Sequence, residues 1–294
     1  MTAPPCTESG HVFDVAGESL VGVLSRPATK CDTALLIVVG GPQYRAGSHR
    51  QFVDLARSVA AAGHAVLRFD HRGMGDSGGA MRSFEQISDD IAAAIDLLFK
   101  QLPGLRRVVL WGLCDGASAA LIYCQATNDQ RVGGLCVVNP WVRSAQTLAR
   151  THVKHYYLQR LREPAFWRKV LSGGVAWTAL RGLFGSLRTS RATARVDATQ
   201  QAPFQLRMAD AWHDTSRPIL LLLSGRDYTA REFIEAVRTE PAWAGALERS
   251  ELSQHMLEEA DHTFSDRAHQ QAIEALTCEW LAALPAPSQR MESP

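Results

Sequence analysis

The sequence carries little net charge and contains no long apolar run. Its 31 Lys and Arg residues nearly balance 30 Asp and Glu residues, and the formal net charge of +1 argues against a nucleic-acid-binding protein. The longest apolar runs, such as residues 219–223, are far too short to cross a bilayer. We find neither the basic and apolar segments of a signal peptide nor an internal repeat. These absences favour a globular cytoplasmic protein without a transmembrane segment.

The six cysteines show no pattern of a disulfide framework or of a metal site. They stand at positions 6, 31, 114, 124, 136 and 278, without a CxxC pair or the spacing of metal ligands. We therefore expect reduced thiols, most of them small core residues. We find no motif for a metal or an organic cofactor and expect neither, while the sequence leaves the oligomeric state open.

Strands and helices alternate along most of the chain. We predict a hairpin over 11–25, buried strands at 34–39, 65–69, 108–111, 135–138 and 219–223, and helices at 48–62, 84–102, 117–126 and 267–284. This alternation implies an α/β fold with a mostly parallel central sheet covered by helices on both faces. We expect a core built from residues 1–140 and 214–294, with a mainly helical insertion between them at 141–213.

The insertion at 141–213 is strongly basic. It holds twelve Lys and Arg residues against three Asp and Glu residues, and it contains tryptophans and tyrosines but no convincing strand. Its cationic side either attracts an anionic substrate, headgroup or partner, or is a solvated helical face.

If the insertion attracts anionic substrates, kcat/KM for an anionic ester should fall as the salt concentration rises. The physical reason is that such attraction is screened over about 8 Å at physiological ionic strength. A neutral ester of equal acyl length is the control, measured at the same low and high salt concentrations. Equal responses of the two esters would leave the basic residues as a solvated face.

The most informative segment is Val108–Ser118. An apolar run ends at Gly112, a Gly-x-Cys-x-Gly turn follows, and a helix of small residues begins. This order predicts a strand, a sharp turn and a helix with Cys114 at the apex, where small neighbours let the strand and the helix approach. A helix N-terminus places N–H groups and a partial positive charge beside the sulfur, which favours the reactive thiolate. We predict that Cys114 is a nucleophile.

Several segments resemble known hydrolases. The cysteine turn is similar to the G-x-S-x-G elbow of α/β-hydrolases with Cys in place of Ser, and Asp70–Ser77 resembles their D-x-R-G-x-G-x-S turn. More narrowly, Gly40–Arg50, the cysteine elbow and Asp261–Ser265 look like the exosortase A system-associated hydrolase 1 group. That group is named from bacterial loci for exopolysaccharide production and PEP-CTERM protein sorting. The resemblance implies an α/β-hydrolase fold whose insertion caps the active site, and a cytosolic hydrolase of unknown substrate.

The resemblance also predicts the partners of Cys114, because the chain order in α/β-hydrolases is nucleophile, acid, histidine. Asp227 follows the strand at 219–223, and His262 lies in the loop before the last helix. His262 would take the thiol proton, and Asp227 would orient and stabilise the imidazole. Alternatively, Asp227 is a helix N-cap, His262 is a surface histidine, or Asp261 is the acid. A residue next to the histidine on the same loop, however, usually points away from it.

Two backbone N–H groups would form an oxyanion hole. One belongs to Asp115, whose N–H we expect to matter more than its carboxylate. The other is assigned to Gly41, because Gly40–Pro42 resembles the H-G-G-P oxyanion turn, with Val39 replacing its histidine, and proline has no N–H. Four residues follow at the expected mouth of the site: Tyr44, Arg45, His49 and Arg50. They either bind substrate or are solvated. If they bind substrate, Arg45 or Arg50 would bind a carboxylate or phosphate group of it.

A thiolate nucleophile sets the reaction class. It attacks esters and thioesters readily, and the acyl-thioester that forms is hydrolysed or passed to an acceptor. We expect an esterase or thioesterase that acts on a small-molecule or carrier-bound acyl substrate. The alternatives are an acyltransferase with the same triad and a non-catalytic binding or regulatory protein. Lactone opening also stays open, because dienelactone hydrolases have a cysteine elbow.

Overall fold

A computed structural model describes residues 6–41, 43–143 and 202–286, and these residues build one eight-stranded sheet. The strands are β1 (Thr7–Val15), β2 (Glu18–Arg26), β3 (Thr33–Val38), β4 (Ala65–Asp70), β5 (Arg107–Leu113), β6 (Val132–Val138), β7 (Ile219–Ser224) and β8 (Leu252–Leu257). Their order across the sheet is β1-β2-β4-β3-β5-β6-β7-β8. The pairs β1–β2 and β2–β4 are antiparallel, and the others are parallel. Consequently the carboxyl ends of β3 to β7 all lie on the same side of the sheet.

Helices cover both faces of the sheet, as the alternation predicts. They are α1 (Gln51–Ala61), α2 (Ser88–Gln101), α3 (Asp115–Thr127), α4 (Phe204–Asp214), α5 (Tyr228–Thr239) and α6 (Arg267–Ala283). One core lies between the sheet and α1 and α6, and the other between the sheet and α2 to α5. Strand β3 has no polar side to present to water, because its alternate residues enter different cores: Leu35 and Ile37 the first, Leu36 and Val38 the second.

The predicted helices at 48–62 and 84–102 are each shortened at their start. Residues Ser48–Arg50 form a 3-10 turn in which His49 and Arg50 have φ of +40° and +68°, so the α-helix begins only at Gln51. A second 3-10 turn, Phe84–Gln86, likewise precedes α2. Neither turn contains a buried residue, so the buried face of each helix begins only after its 3-10 turn.

Two elements, α5 and β8, have no counterpart in the sequence prediction. Strand β8 pairs only with β7 at the edge of the sheet, and its residues are half-buried or exposed, so it lacks a strong apolar pattern. The same edge position explains why polar side chains such as Gln254 and His255 are tolerated there.

Most of the predicted helical insertion, residues 144–201, lies outside the described residues. Of the segment 141–213, the structure describes 141–143 and 202–213, where α4 packs against α3. Within the described ranges, no helix combines the length and the hydropathy needed to cross a membrane.

Candidate active site

The turn between β5 and α3 places Cys114 at its apex. The backbone of Cys114 has φ of +60° and ψ of −126°, a conformation that non-glycine residues rarely adopt and that strand-to-helix packing must hold in place. A side chain at Gly112 would collide with the backbone of Gly116, and one at Gly116 would collide with the carbonyl of Val38. The two glycines therefore permit the close approach that forces the bend at Cys114.

Asp227 performs two tasks with one side chain. It follows β7 as the N-cap of α5, where Oδ1 accepts the N–H of Thr229 and Oδ2 the N–H of Ala230, both at 3.1 Å. The same Oδ2 lies 2.8 Å from Nδ1 of His262. Asp227 is therefore a helix N-cap whose carboxylate also faces the imidazole, because the cap holds that carboxylate in place, and its role as the acid stays a prediction.

Asp261 faces away from the imidazole. Its Oδ1 accepts the backbone N–H groups of Thr263 at 3.1 Å and Ser265 at 2.9 Å, and its other oxygen contacts the Ser265 hydroxyl. This carboxylate therefore shapes the loop that carries His262, while Asp227 contacts the ring.

A buried asparagine that the sequence prediction omitted holds this loop in place. The Nδ2 of Asn139, at the end of β6, donates to the His262 carbonyl at 3.1 Å and to Oγ of Ser224 at 2.9 Å. The Ser224 N–H in turn donates to Oδ1 of Asn139 at 2.8 Å. Asn139 thus ties the histidine loop to the end of β7, three residues before Asp227. A polar residue between an apolar strand and Pro140 is the signal that could have identified it.

Electrostatics favour the protonated form of His262. Its hydrogen bonds to the side chains of Asp227 and Cys114 raise the pKa of His262 to about 10, although burial of the ring opposes that rise. Since Nδ1 faces Asp227, the other ring nitrogen, Nε2, is the one available for the hydrogen bond with the sulfur of Cys114. The structure thus brings the three predicted residues Cys114, Asp227 and His262 into one hydrogen-bonded chain.

A pocket of about 130 Å³ opens beside Cys114. Its lining consists of Gly40, Gly41, Gln43, Phe52, Leu113, Cys114, Asp115 and His262. Both residues assigned to the oxyanion hole, Gly41 and Asp115, therefore lie at the same pocket as Cys114. Their backbone N–H groups both form hydrogen bonds with the side-chain carboxylate of Asp115. Among the described residues, no cluster of His, Cys, Asp and Glu side chains could hold a metal ion.

The family model for the alpha/beta hydrolase family matches residues 35–275 of this sequence. The chain belongs to the alpha/beta hydrolase family. This membership and the sheet order confirm the predicted fold class, and at the level of the family they confirm the predicted class of enzyme.

Three solved structures are similar to this chain in fold at low sequence identity. An esterase of Pyrococcus furiosus, Pf2001, superposes with a TM-score of 0.63 at 16% identity, over 95% of this chain and 91% of its own. Est1E of Butyrivibrio proteoclasticus, solved with ferulic acid, gives 0.62 at 13%, over 93% and 98%. The esterase domain of a Rhodothermus marinus protein gives 0.58 at 18%, over 93% and 97%. A search of curated proteins found no match.

The four residues predicted to contact substrate, Tyr44, Arg45, His49 and Arg50, do not line the pocket at Cys114. Tyr44 and Arg50 are exposed, and Nε2 of His49 donates to the Thr263 carbonyl at 3.1 Å. The guanidinium of Arg45 contacts the carboxylate of Asp70 and lies 2.6 Å from that of Asp76. Arg45 thus connects the glycine-rich loop, residues 40–50, to the end of β4, and His49 connects it to the loop that carries His262. Contact of the four residues with substrate stays a prediction.

Proposed function

We propose that the chain is an acyl hydrolase that cleaves ester or thioester bonds through Cys114, His262 and Asp227. The observation that carries the proposal is the single imidazole that is hydrogen-bonded to a carboxylate on one side and to a thiol at a strained turn on the other. A nucleophile, a base and an orienting acid in this arrangement are the requirements of covalent acyl transfer. The esterases among the structural neighbours support ester cleavage.

In the proposed reaction, the Cys114 thiol gives its proton to Nε2 of His262, and the resulting thiolate attacks the substrate carbonyl and forms a carbon–sulfur bond. The negative charge moves to the carbonyl oxygen, which would replace the Asp115 carboxylate at the N–H groups of Gly41 and Asp115 and be stabilised by them. The bond to the alcohol or thiol leaving group then breaks, and the leaving group takes the proton from Nε2 of His262. The products of this half are the free leaving group and an acyl-thioester on Cys114.

In the second half, Nε2 of His262 removes a proton from water, and the resulting hydroxide attacks the acyl-thioester. The carbon–sulfur bond breaks, the carboxylic acid leaves, and the sulfur returns to its starting state. Asp227 keeps Nδ1 protonated and stabilises the positive ring in both halves, because it accepts the Nδ1–H throughout.

The narrower resemblance to the exosortase A system-associated hydrolase 1 group supports an association with bacterial exopolysaccharide production. It rests on Gly40–Arg50, the cysteine elbow and Asp261–Ser265. We infer a cytoplasmic enzyme from the same resemblance and from the absence of cysteine pairs. The acyl group and the leaving group have to be found by experiment.

The direct test is a screen of aryl esters and acyl-thioesters of graded length, with Cys114→Ala as the blank. Intact mass measurement during turnover should detect one acyl group on Cys114, which an acyl-mimetic electrophile should also label. Dependence of the rate on an added alcohol or amine would instead indicate acyl transfer. Absence of both turnover and labelling would leave a non-catalytic binding protein.

The two half-reactions should respond to pH in opposite directions. Acylation by an alkyl ester needs the protonated imidazole as an acid, so its rate should stay level through neutral pH and fall as pH rises through about 10. Deacylation needs the neutral imidazole as a base, so its rate should rise with pH. The pKa of His262 should be lower in the acyl-enzyme, because the acylated sulfur no longer stabilises the positive ring. Single-turnover and steady-state rates across pH measure the two steps.

The control for this pH profile is Asp227→Asn. The hydrogen bond to Asp227 is the largest cause of the raised pKa, so its loss should move the alkaline fall of acylation to lower pH. An acylation rate in the unsubstituted protein that instead rises with pH around the ordinary pKa of histidine, roughly 6.5, would contradict the assigned protonation state.

A further inference from the structure

The segment Val138–Trp141, at the end of β6, holds the main chain of the nucleophile on both sides. The Val138 carbonyl accepts the Cys114 N–H at 2.9 Å, and the Trp141 N–H donates to the Cys114 carbonyl at 3.2 Å. The hydroxyl of Ser118, in the first turn of α3, donates to the Trp141 carbonyl at 2.6 Å. The position of Cys114 is therefore fixed relative to this segment.

The side chain of Asn139, inside this segment, reaches the loop that carries His262. It is completely buried, and its amide has hydrogen-bond partners at both ends. The amide has one possible orientation, because the His262 carbonyl can only accept from Nδ2 and the Ser224 N–H can only donate to Oδ1. Among the described residues, the bond from Nδ2 is the one hydrogen bond to the main chain of His262. Asn139 therefore connects His262 to the strand that also holds Cys114.

Two other side chains of this region hold the residue that follows His262. The ring of His49 donates to the Thr263 carbonyl, and the carboxylate of Asp261 accepts the Thr263 N–H. Neither of these bonds reaches β6 or the cysteine elbow. The backbone of Asn139 has φ of +43°, which asparagine tolerates better than most residues do, so an asparagine suits this place in both backbone and side chain.

Resting on the acyl-hydrolase function above, we propose that Asn139 is a positioning residue that sets the distance between the imidazole of His262 and the sulfur of Cys114. It is not among the residues that line the pocket, so it acts through His262 and not on the substrate. The strength of a hydrogen bond falls steeply as its distance and angle depart from their best values. A shift of the imidazole by about 1 Å should therefore slow acylation by about 10²-fold.

Asn139→Gly tests the proposal, because it removes the amide and keeps a residue that accepts a positive φ. With the best ester of the screen, the single-turnover acylation rate at saturation should fall about 10²-fold, while the ester concentration that gives half of this rate changes little. The reason is that the substitution displaces the imidazole and leaves the other residues of the pocket in place. Stopped-flow measurement of leaving-group release gives both quantities, and thermal unfolding checks the fold.

Two variants separate the bond to His262 from a general loss of stability. Ser224→Ala removes the hydroxyl that accepts from Nδ2 of Asn139 and keeps the bond to His262, so it should lose far less of the acylation rate. Tyr123→Phe removes a buried hydrogen bond to Asp129 at the far end of α3, and it should keep the rate of the unsubstituted protein.

Asn139→Asp should restore part of the rate in mildly acidic buffer. Burial favours the neutral form of a carboxyl group. The neutral side chain has the size of asparagine and carries one O–H that can donate to the His262 carbonyl. Equal rates of Asn139→Asp and Asn139→Gly in that buffer would contradict a role for this hydrogen bond.

The pH profile of acylation reports the separation of the ring and the sulfur. Hydrogen bonds to Asp227 and to Cys114 raise the pKa of His262 to about 10, and Asn139→Gly should weaken the second of them. The alkaline fall of acylation should therefore move to lower pH in Asn139→Gly and stay in place in Tyr123→Phe. The other titratable side chains near the ring are the same in both variants: Asp115 in the pocket lining, Asp261 in the loop and His49 against the Thr263 carbonyl.

The outcomes separate this inference from the function on which it rests. Turnover through Cys114 with an acylation rate that Asn139→Gly keeps, or with an equal loss in Tyr123→Phe, would overturn the inference and leave the acyl hydrolase standing. No turnover of any ester by the unsubstituted protein, together with no labelling of Cys114, would overturn both. If Asn139→Gly fails to fold, Asn139→Leu takes its place, because it fills the same space without a hydrogen bond.

Discussion

Replacing Cys114 by alanine should abolish turnover of every ester and thioester. The substitution removes the atom that forms the covalent intermediate, and loss of a covalent nucleophile in a hydrolase lowers kcat by about 10⁵–10⁶-fold. The fold should survive, because the turn depends on the packing of Gly112 and Gly116 rather than on the half-buried sulfur. Initial rates with the best aryl ester of the screen, together with thermal unfolding, measure both expectations. Ester hydrolysis retained by Cys114→Ala would exclude the proposed mechanism.

Two other cysteines provide controls for this result. Cys124 in α3 and Cys136 in β6 are buried, and burial raises the pKa of Cys124 to about 12 and raises the pKa of Cys136 as well. Neither is therefore a reactive thiolate at neutral pH, and Cys124→Ala and Cys136→Ala should leave kcat/KM largely intact. Cys114→Ser should also fold, but it should be slower than the unsubstituted protein, since a hydroxyl depends more on His262 for activation than a thiol does.

The fold was predictable where burial is complete. Strands such as β3 and β7 are apolar throughout because both faces of the sheet are covered, and that pattern is visible in the sequence. Strand β8 was not predictable because an edge strand with one neighbour buries little. The start of α1 was missed for a different reason: the left-handed backbone at His49 and Arg50 comes from the contact of this loop with the histidine loop, which local patterns do not contain.

The candidate site divides in the same way. Cys114, Asp227 and His262 occupy positions that the chain order of a known family predicts, and each follows a strand end at the same edge of the sheet. Asn139 is absent from that prediction, because its importance comes from hydrogen bonds to Ser224 and His262, which are far away in the sequence. The same holds for the Asp115 carboxylate, since only the folded structure shows that it lies against Gly40.

His262→Ala and Asp227→Asn should both inactivate the protein without unfolding it. Removing the imidazole deletes the acid and the base of both half-reactions, with an expected loss of about 10⁴–10⁶-fold in kcat. Asp227→Asn should cost about 10³–10⁴-fold, because an amide cannot stabilise the positive ring and can leave it in the wrong tautomer. Asparagine is as good an N-cap as aspartate, so α5 should stay intact and the melting temperature should change little.

Asp266→Asn is the matched control for the Asp227 substitution, because it isolates the capping role from the catalytic one. Asp266 caps α6 as Asp227 caps α5, because its Oδ1 accepts the Ala268 N–H at 2.8 Å. It forms no hydrogen bond or ion pair with His262 among the described residues. We expect Asp266→Asn to keep nearly full kcat, and Asp261→Asn, which alters only the turn beside His262, to keep most of it. If Asp261→Asn were the inactive variant and Asp227→Asn matched Asp266→Asn, Asp227 would be only a helix cap, and Asp261 would be the acid.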